Sequence, residues 1–339
     1  MEKSNKKIEL LGELNMEKEI VRRNIGSIEV NVFEAFKEFI VEKQALNLSR
    51  ASIFSYESAF SKFASDLSLT EYVYATDIDK KVIFNWINIM KQREIRITSI
   101  NSYLRKIRSF LYWCMNEERE YIKPVYKIQE LKYQEEPPKH FTEEEIELLI
   151  KKPKVKEGFA TWRSWAVINF IIGTGARAAS VCSVKMGDIN FETKEILLEH
   201  TKNNKALIIP MSPTLEIALK EYIRIWRNMN LKESYLFPTR SNEKLTSNSL
   251  WCETRYYFNE RGVKKTNLHG LRHSFAIGWV KNNGNMFVLQ KILGHSTLEM
   301  TRKYVRLYSD DYKENFEMFN PLDSIKRNKS KKQLVSRNI

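Results

Sequence analysis

Apolar residues recur at the spacing of an α-helix in four separate runs between about residues 30 and 125. The second run follows Ser49, the third follows Asp79, and the fourth follows Thr98 or Ser99. Ser, Thr and Asp are residue types that cap helix N-termini. The pattern therefore predicts four short amphipathic helices that pack into a compact bundle.

The pattern of the second half of the chain is mixed. Thr142 opens a T-x-x-E capping box that predicts the start of a helix. The apolar run at 162–172 predicts a buried helix, and the β-rich runs at 195–199 and 206–209 flank a polar turn that fits a hairpin. Apolar residues return to helical spacing at 215–226, and helices are expected to dominate from residue 246 to about residue 320.

Two adjacent prolines, Pro137 and Pro138, separate these two patterns. A Pro-Pro pair does not fit inside a helix and favours an extended spacer. We therefore expect a mainly α-helical chain with a small β-sheet, in which a helical bundle precedes an α+β domain. The expected parts are an N-terminal extension at 1–29, a helical domain at 30–130, a linker at 131–141, a second domain at 142–320 and a basic tail at 321–339.

The chain of 339 residues carries 56 Lys and Arg against 42 Asp and Glu, a net charge of +14. This excess suits a polyanionic partner, first nucleic acid and second an anionic membrane, although a generic basic protein has the same balance. No apolar run approaches the roughly 18 residues that span a bilayer, and the N-terminus lacks a signal-peptide core. Three scattered cysteines suggest neither a disulfide framework nor a zinc site, so we expect a cytoplasmic protein.

Basic side chains are candidates for DNA contacts at Arg50, Arg105, Lys106 and Arg108 in the first domain and at Lys205 in the second. Long cationic side chains on a helix can follow DNA phosphates. A solvated helix face has the same pattern, so both interpretations stay open at this point.

Five local features of the second domain each have an ordinary structural explanation when they are taken singly. A Gly-Thr-Gly-Ala-Arg turn is typical of a helix C-cap, a lysine in a hairpin turn is usually solvated, and His-x-x-Arg can start a polar helix. Leu-Gly-His is typical of a capping turn, and a tyrosine nine residues later can be a half-buried aromatic. The features lie at Gly173–Arg177, Lys202, His269–Arg272, Leu293–His295 and Tyr304.

In this order, the five features resemble the active-site signature of the tyrosine recombinases, the phage-integrase family. The segments that carry the resemblance are TGARAASV at 174–181, HTKNNKALIIP at 200–210, LHGLRHSFA at 268–276 and LGHSTLEMTRKY at 293–304. The likeness covers the second domain, and the helical first domain resembles the core-binding domain of that family. The resemblance implies a site-specific DNA recombinase.

The resemblance implies transesterification at a DNA phosphodiester, with Tyr304 as the nucleophile and a 3′-phosphotyrosine as the intermediate. Arg177 and Arg272 would clamp the extra negative charge of a phosphorane-like transition state with bidentate donors. A phenol with a pKa of about 10 is a weak nucleophile at neutral pH, so Tyr304 would need cationic surroundings and a neighbouring base.

The resemblance assigns the remaining steps to other basic side chains. Lys202 would protonate the leaving 5′-oxygen, and Lys205 would do so if the hairpin register differs. His269 would assist proton handling on the side of the nucleophile, and His295 would hydrogen-bond a non-bridging oxygen. No metal and no cofactor are implied, because the arginine pair supplies the positive charge and no Asp/Glu cluster presents itself.

The chain departs from the family pattern at three places. Ser180 stands where the family commonly has an acidic residue, three positions after the first arginine. Thr201 and Asn203 replace glycines beside the lysine, although Asn tolerates left-handed turns. Ala176 replaces a bulky apolar residue before the first arginine. None of these departures removes a core catalytic group.

Aromatic residues form a stripe at about helical spacing after the candidate nucleophile, at Tyr308, Tyr312, Phe316 and Phe319. A stripe indicates a buried face but not the chain that covers it. It could dock on its own domain, whereas the resemblance implies packing into a neighbouring protomer. On the second interpretation, four protomers assemble on two sites in double-stranded DNA, with accessory DNA-bending factors as candidate partners and no membrane partner.

The Lys-, Asn- and Ile-rich composition indicates an AT-rich genome. We expect an integrase of a mobile element, and a Xer-like multimer resolvase or invertase stays open. A catalytically silent DNA-binding protein on the same scaffold would bind its site without a covalent adduct. A helix-turn-helix regulator leaves the spacing from His269 to Tyr304 unexplained. A metal nuclease needs clustered carboxylates and a ligase needs a nucleotide-binding lysine motif, and neither is visible.

Overall fold

The computed structural model describes residues 29–116, 121–122, 125–134, 136–199, 206–227 and 232–308, the last four of these by their backbone alone. The chain divides into two compact units between Glu135 and Glu136. This position lies within the stretch 131–141 that the sequence marks as a linker. The expected tail at 321–339 and, apart from Glu29, the expected N-terminal extension lie outside the described residues.

The described part of the first unit contains the four helices that the apolar spacing predicts. Ser49 accepts a hydrogen bond from the Ser52 N–H, and Asp79 accepts one from the Val82 N–H, so both predicted caps are confirmed. The helices are α1 (Val32–Ala45), α2 (Arg50–Asp66), α3 (Lys80–Gln92) and α4 (Ile97–Cys114).

The predicted cap of α4 at Thr98 or Ser99 is wrong. The helix begins at Ile97, and Arg96 occupies the cap position without a side-chain hydrogen bond. The Arg96 carbonyl already accepts the Ile100 N–H, so Thr98 and Ser99 lie inside the first turn. Ile100 is buried, and its packing places the start of the helix earlier than the capping pattern suggests.

Aromatic rings fill the core of the first unit. Phe36 and Phe60 stack with 3.9 Å between their ring centroids. Phe110 meets the two rings edge-on at 5.3 and 5.6 Å. These rings join α1, α2 and α4 through contacts that are favourable beyond the burial of area alone.

The second unit combines helices with one small sheet, as predicted for the second half of the chain. Thr142 and Glu145 make the predicted capping box at the first of these helices. The helices are α5 (Glu143–Ile150), α6 (Gly158–Thr174), α7 (Ala178–Val181), α8 (Pro213–Trp226), α9 (Ser247–Glu260), α10 (Leu268–Lys281), α11 (Met286–Leu293) and α12 (Glu299–Tyr308). The strands are β1 (Ile189–Asn190), β2 (Glu195–Leu198) and β3 (Leu207–Pro210).

The sheet is antiparallel, with the strands in chain order. Ile196 of β2 pairs with Ile189 on one side and with Ile209 on the other, and all three side chains are buried in the core of the unit. The hairpin of β2 and β3 confirms the predicted hairpin, whereas β1 was not predicted. Leu198 pairs with Leu207, so the connection between these strands carries residues 200–205, which lie outside the described residues.

Helix α6 runs through the core of the second unit, and most of its residues are buried, as its continuous apolar run predicts. Its end at Gly175 leads into the turn that carries Arg177. The first residue of the predicted linker is bound to the first unit, and its last residue is bound to the second unit. The Leu131 N–H donates to Asn101 in the first unit, and buried Phe141 donates its N–H to Ser274 in the second.

Among the helices that the structure describes, none is both long enough and apolar enough to cross a membrane.

Candidate active site

Four stretches of the second unit bring the candidate catalytic side chains together. The turn after α6 carries Arg177, helix α10 carries His269 and Arg272, the turn after α11 carries His295, and helix α12 carries Tyr304. Helix α10 begins in the place that the sequence requires, because the Asn267 side chain accepts the His269 N–H at 3.0 Å. The five predicted catalytic residues that the structure describes lie together in this unit.

Two left-handed glycine turns shape this site. Gly175 has φ +67°, and a Cβ there would lie 2.6 Å from the Phe275 ring. Gly294 has φ +57° and ends α11. Because only glycine adopts this conformation without steric cost, both turns can place backbone carbonyls next to an arginine.

Arg272 is the most enclosed charge of the site, with 3% of its surface exposed. Its Nη1 donates to the Gly175 carbonyl at 2.8 Å, and its Nη2 donates to the Leu293 carbonyl at 2.7 Å. Burial and the neighbouring Arg177 lower the pKa of Arg272 to about 10. The guanidinium therefore stays charged at neutral pH and is held in a fixed orientation.

His295 lies against this guanidinium. Its Nε2 is 3.1 Å from Arg272 Nη2, and its Nδ1 is 2.9 Å from the hydroxyl of buried Thr301. Burial, followed by the charges of Arg272 and Arg177, lowers the pKa of His295 to about 4. The imidazole is therefore neutral at pH 7.

Arg177 borders the same site from the N-terminus of α7. Its Nη2 donates to the Gly294 carbonyl at 3.3 Å, and its side chain is half-buried. Burial lowers the pKa of Arg177, and Tyr304 acts in the opposite direction. Ser180, where the family commonly has an acidic residue, lies buried one turn along α7. Ala176 is buried in the core of the unit.

Tyr304 presents its hydroxyl to a residue for which the sequence analysis gave no role. The hydroxyl lies 2.7 Å from Nδ1 of His273, and Tyr304 is 4% exposed. Burial raises the pKa of the Tyr304 phenol, and Arg272 and Arg177 oppose that rise. The phenol is therefore protonated at neutral pH and is close enough to both arginines to interact with their charges.

His269 and His273 lie one turn apart on α10, with ring centroids 4.5 Å apart and the rings edge to face. Burial and the charges of Arg272 and Arg177 lower the pKa of His269. Burial, His269 and Arg272 lower the pKa of His273 to about 4. The sequence does contain a signal for His273. It lies four positions after His269, and residues four apart on a helix share a face.

The remaining predicted residues are the two lysines between β2 and β3 and the four candidates for DNA contacts in the first unit. Lys202 and Lys205 lie outside the described residues. In the first unit, Arg105 and Arg108 both contact the Glu130 carboxylate, at 3.3 and 2.9 Å.

The other two candidates for DNA contacts are Arg50 and Lys106. Arg50 is exposed at the start of α2. Lys106 donates to the carbonyl and the hydroxyl of Ser102, and burial together with Arg105 lowers its pKa.

The site offers two charged guanidiniums, three neutral imidazoles and one buried phenol. Guanidiniums match the oxygens of a phosphate group with paired donors, and a preorganised cationic site stabilises charge that develops in a transition state. In the part of the chain that the structure describes, no group of three or more His, Cys, Asp or Glu side chains is placed to hold a metal ion.

Comparison with known proteins finds a matching family and similar recombinases. The phage integrase family matches residues 139–310. Tyrosine recombinase XerA of Pyrococcus furiosus is 28% identical over 299 residues, which cover 86% of this chain and 96% of XerA.

Two solved structures share the fold. XerH recombinase bound to a palindromic difH substrate has a TM-score of 0.64 at 21% identity, with 82% of each chain covered. The Tn1549 transposon integrase in complex with transposon right end DNA has a TM-score of 0.66 at 19% identity, covering 86% of this chain and 99% of that one.

Proposed function

Because this chain belongs to the phage integrase family, the tyrosine recombinases, we propose that it cuts and rejoins double-stranded DNA at specific sites through a 3′-phosphotyrosine at Tyr304. The observation that carries the proposal is the position of Tyr304. Its hydroxyl is buried beside a neutral imidazole, and Arg272 and Arg177 lie close enough to oppose the rise that burial causes in the pKa of its phenol. A nucleophile and two phosphate-binding cations therefore share one site.

In the proposed reaction, the Tyr304 oxygen attacks the scissile phosphorus and forms a P–O bond to the tyrosine. The P–O5′ bond breaks, and the 5′-oxygen leaves as a hydroxyl after it takes a proton. Arg177 and Arg272 bind the non-bridging oxygens, whose negative charge grows in the transition state. Attack by a 5′-hydroxyl of the partner strand reverses these steps and restores the tyrosine, so the bond energy is conserved.

Lys202 is our candidate for the proton donor to the 5′-oxygen, with Lys205 as the alternative. Both belong to the connection of β2 and β3, whose ends are fixed by the pairing of Leu198 with Leu207. General-acid help is typically worth about 10²- to 10⁴-fold in rate. Loss of the correct lysine therefore slows cleavage strongly without abolishing it.

The partner in this proposal is a double-stranded recombination site, bound by four protomers. Support comes from an apolar groove of the second unit, lined by Ile146, Ile172, Phe275, Gly278 and Trp279. We propose that the aromatic stripe from Tyr308 to Phe319 of a neighbouring protomer occupies this groove. The stripe itself lies outside the residues whose side chains the structure describes.

For the biological role, we propose integration and excision of a mobile element. The curated relatives, among them the XerA protein matched over 96% of its length, favour the alternative of a Xer-like resolvase. The two roles differ in their DNA. A mobile-element integrase recombines the ends of its own element, whereas a resolvase recombines two copies of one chromosomal site.

The proposal is tested with a suicide substrate, a nicked duplex from which the short cleaved strand diffuses away. The end sequences of the element that encodes the protein supply the DNA. Wild-type protein and Tyr304→Phe are incubated with it and run on a denaturing gel. We expect a covalent protein–DNA band with wild-type protein alone. Site-specific binding on a native gel without such a band would favour a silent DNA-binding protein.

A further inference from the structure

We propose that His273 is the residue that receives the proton of the Tyr304 hydroxyl when the tyrosine attacks the phosphate. This inference rests on the proposed cleavage reaction. It assigns the role of base to a different histidine from His269, the residue that the family resemblance places on the side of the nucleophile. The inference depends on the geometry between helices α10 and α12.

His273 and Tyr304 are in direct contact through their polar atoms. His273 Nδ1 and the Tyr304 hydroxyl are 2.7 Å apart, which is the distance of a strong hydrogen bond. Among the described residues, this imidazole is the hydrogen-bond partner of the Tyr304 hydroxyl. His269 instead contacts the ring of His273 edge to face. A base must lie within hydrogen-bond reach of the proton that it takes, and His273 meets this condition.

The hydrogen bond between His273 and Tyr304 has a favoured direction. A neutral imidazole has one nitrogen with a proton and one without. If Nδ1 carried the proton, the buried Tyr304 hydroxyl would lose its acceptor, which is costly. The favoured arrangement therefore has the phenol donating to Nδ1, with the ring proton on Nε2.

The surroundings of His273 keep its imidazole neutral. The charged or titratable groups that act on this ring are His269 and Arg272 on its own helix, His140 before α5 and His295 after α11. Each of them disfavours a positive charge on the ring, as burial does, so the pKa of His273 lies at about 4. The lone pair on Nδ1 is therefore available at any pH at which the protein is expected to work.

The proton balance of the step is complete. As the Tyr304 oxygen bonds to phosphorus, its O–H bond breaks and an N–H bond forms at His273 Nδ1. The resulting imidazolium faces the anionic phosphate, which offsets the repulsion from the arginines. In the reverse step, the same proton returns to the departing phenolate, so His273 acts as base in cleavage and as acid in rejoining.

Two variants separate proton transfer from positioning. In His273→Asn, the amide oxygen is three bonds from Cα, as Nδ1 is, so it can accept the hydrogen bond but cannot take the proton at neutral pH. In His273→Phe, a ring of similar size remains but the acceptor is lost. We expect single-turnover cleavage of the suicide substrate to slow by about 100-fold in the Asn variant, since general-base help is worth about 10²- to 10⁴-fold. The Phe variant is expected to be slower still.

The pH profile between pH 6 and pH 9 is the deciding readout. In the Asn variant, only the phenolate form of Tyr304 can attack, so its cleavage rate should rise about tenfold per pH unit. The wild-type rate should rise less steeply, because His273 removes the proton during attack. A purely structural role would lower the rate of the Asn variant equally at every pH.

A substrate with sulfur in place of the bridging 5′-oxygen shows whether a variant impairs protonation of the leaving group or deprotonation of Tyr304. A thiol has a pKa of about 8.5 and leaves without a proton donor. This substrate should rescue Lys202→Ala but not His273→Asn. Rescue of both variants would overturn the assignment, as would a His273→Asn variant that cleaves like wild type or faster.

The outcomes also separate this inference from the proposed function. Failure of wild-type protein to form a covalent adduct would reject the cleavage reaction itself. A wild-type adduct that is lost in Tyr304→Phe, together with normal His273 variants, would reject only the role of His273. Thermal unfolding of each variant checks that the second unit stays folded.

Discussion

The contact between Arg272 and His295 determines which ring nitrogen of the histidine carries its proton. Arginine can only donate, so Nε2 of His295 accepts from Arg272 at 3.1 Å. The proton of the neutral ring then lies on Nδ1, which donates to Thr301 at 2.9 Å. To donate to a phosphate oxygen through Nε2, His295 must gain a second proton, and an anionic phosphate nearby favours that gain.

Thr301 is therefore expected to act on the reaction through His295, as a positioning residue. In Thr301→Val, the shape of the side chain is nearly kept but the acceptor for His295 Nδ1 is lost. We expect the rate of single-turnover cleavage to fall by about tenfold, because the loss of one hydrogen bond costs about 1.4 kcal/mol. The conservative variant Thr301→Ser keeps the hydroxyl and should restore most of the rate. Equal rates in the Val and Ser variants would show that the hydroxyl does not act through His295.

Gly175 is expected to be intolerant of any side chain. Its φ of +67° and the 2.6 Å approach of a Cβ to Phe275 both oppose Gly175→Ala. A left-handed non-glycine residue costs about 1–2 kcal/mol, and the steric overlap adds to that cost. The free energy of unfolding, measured by urea denaturation, should fall by at least this amount.

Gly278 of α10 provides the matched control for that substitution. A Cβ at this position meets no atom within 4 Å. Gly278→Ala should therefore raise the free energy of unfolding by about 0.5–1 kcal/mol, as expected for a helix interior. Similar losses of stability in the two alanine variants would contradict the strained turn at Gly175.

The open space at Gly278 also allows a test of assembly. Because Gly278 lines the apolar groove together with Trp279 and a Cβ there meets open space, we expect a leucine at this position to fill part of the groove. In Gly278→Leu, we expect one protomer to bind half of a recombination site normally, while the tetrameric complexes that we propose become fewer on native gels. Gly278→Ala is again the control and should assemble like wild type. An unchanged amount of tetramer in the Leu variant would show that the aromatic stripe does not occupy this groove.

The histidines of the site predict how stability depends on pH. His273 and His295 have folded-state pKa values of about 4, against about 6.5 in the unfolded chain. Between these values the unfolded state binds more protons, so the free energy of unfolding falls as pH decreases from about 6.5 to about 4. Urea midpoints at pH 7.5, 6.5 and 5.5 should show this loss.

The control for the pH dependence is the double variant His273→Asn and His295→Asn. It lacks both groups, so its urea midpoint should fall less between pH 6.5 and pH 5.5. The carboxylates titrate mainly below this range and affect both proteins alike. An identical fall in both proteins would show that the two imidazoles are not held neutral by the fold.

The helices could be predicted from the sequence because their signal is local. Apolar residues at helical spacing and the side chains of Ser49 and Asp79 mark α1 to α4 without knowledge of the tertiary fold. The same local signal failed at Thr98 and Ser99, because these residue types also occur inside a first turn. Strand β1 has only two residues and gives no alternation to detect.

The site could be predicted only in part, because several of its contacts are not encoded by side-chain patterns. Arg272 is oriented by the carbonyls of Gly175 and Leu293, which are backbone groups. The contact of His273 with Tyr304 joins residues 31 positions apart and depends on the packing of α10 against α12. A motif identifies the residue types that a reaction needs, whereas the order of contacts among them follows from the fold.

In the proposed reaction, Tyr304 becomes covalently linked to a DNA 3′-phosphate. The most direct measurement is mass spectrometry of the adduct from the suicide substrate, after digestion with nuclease and protease. We predict a nucleotide 3′-phosphate on the peptide that contains Tyr304, together with a free 5′-hydroxyl on the released strand. A nucleotide on any other residue, or a 5′-phosphate linkage, would contradict the role of Tyr304 as the nucleophile.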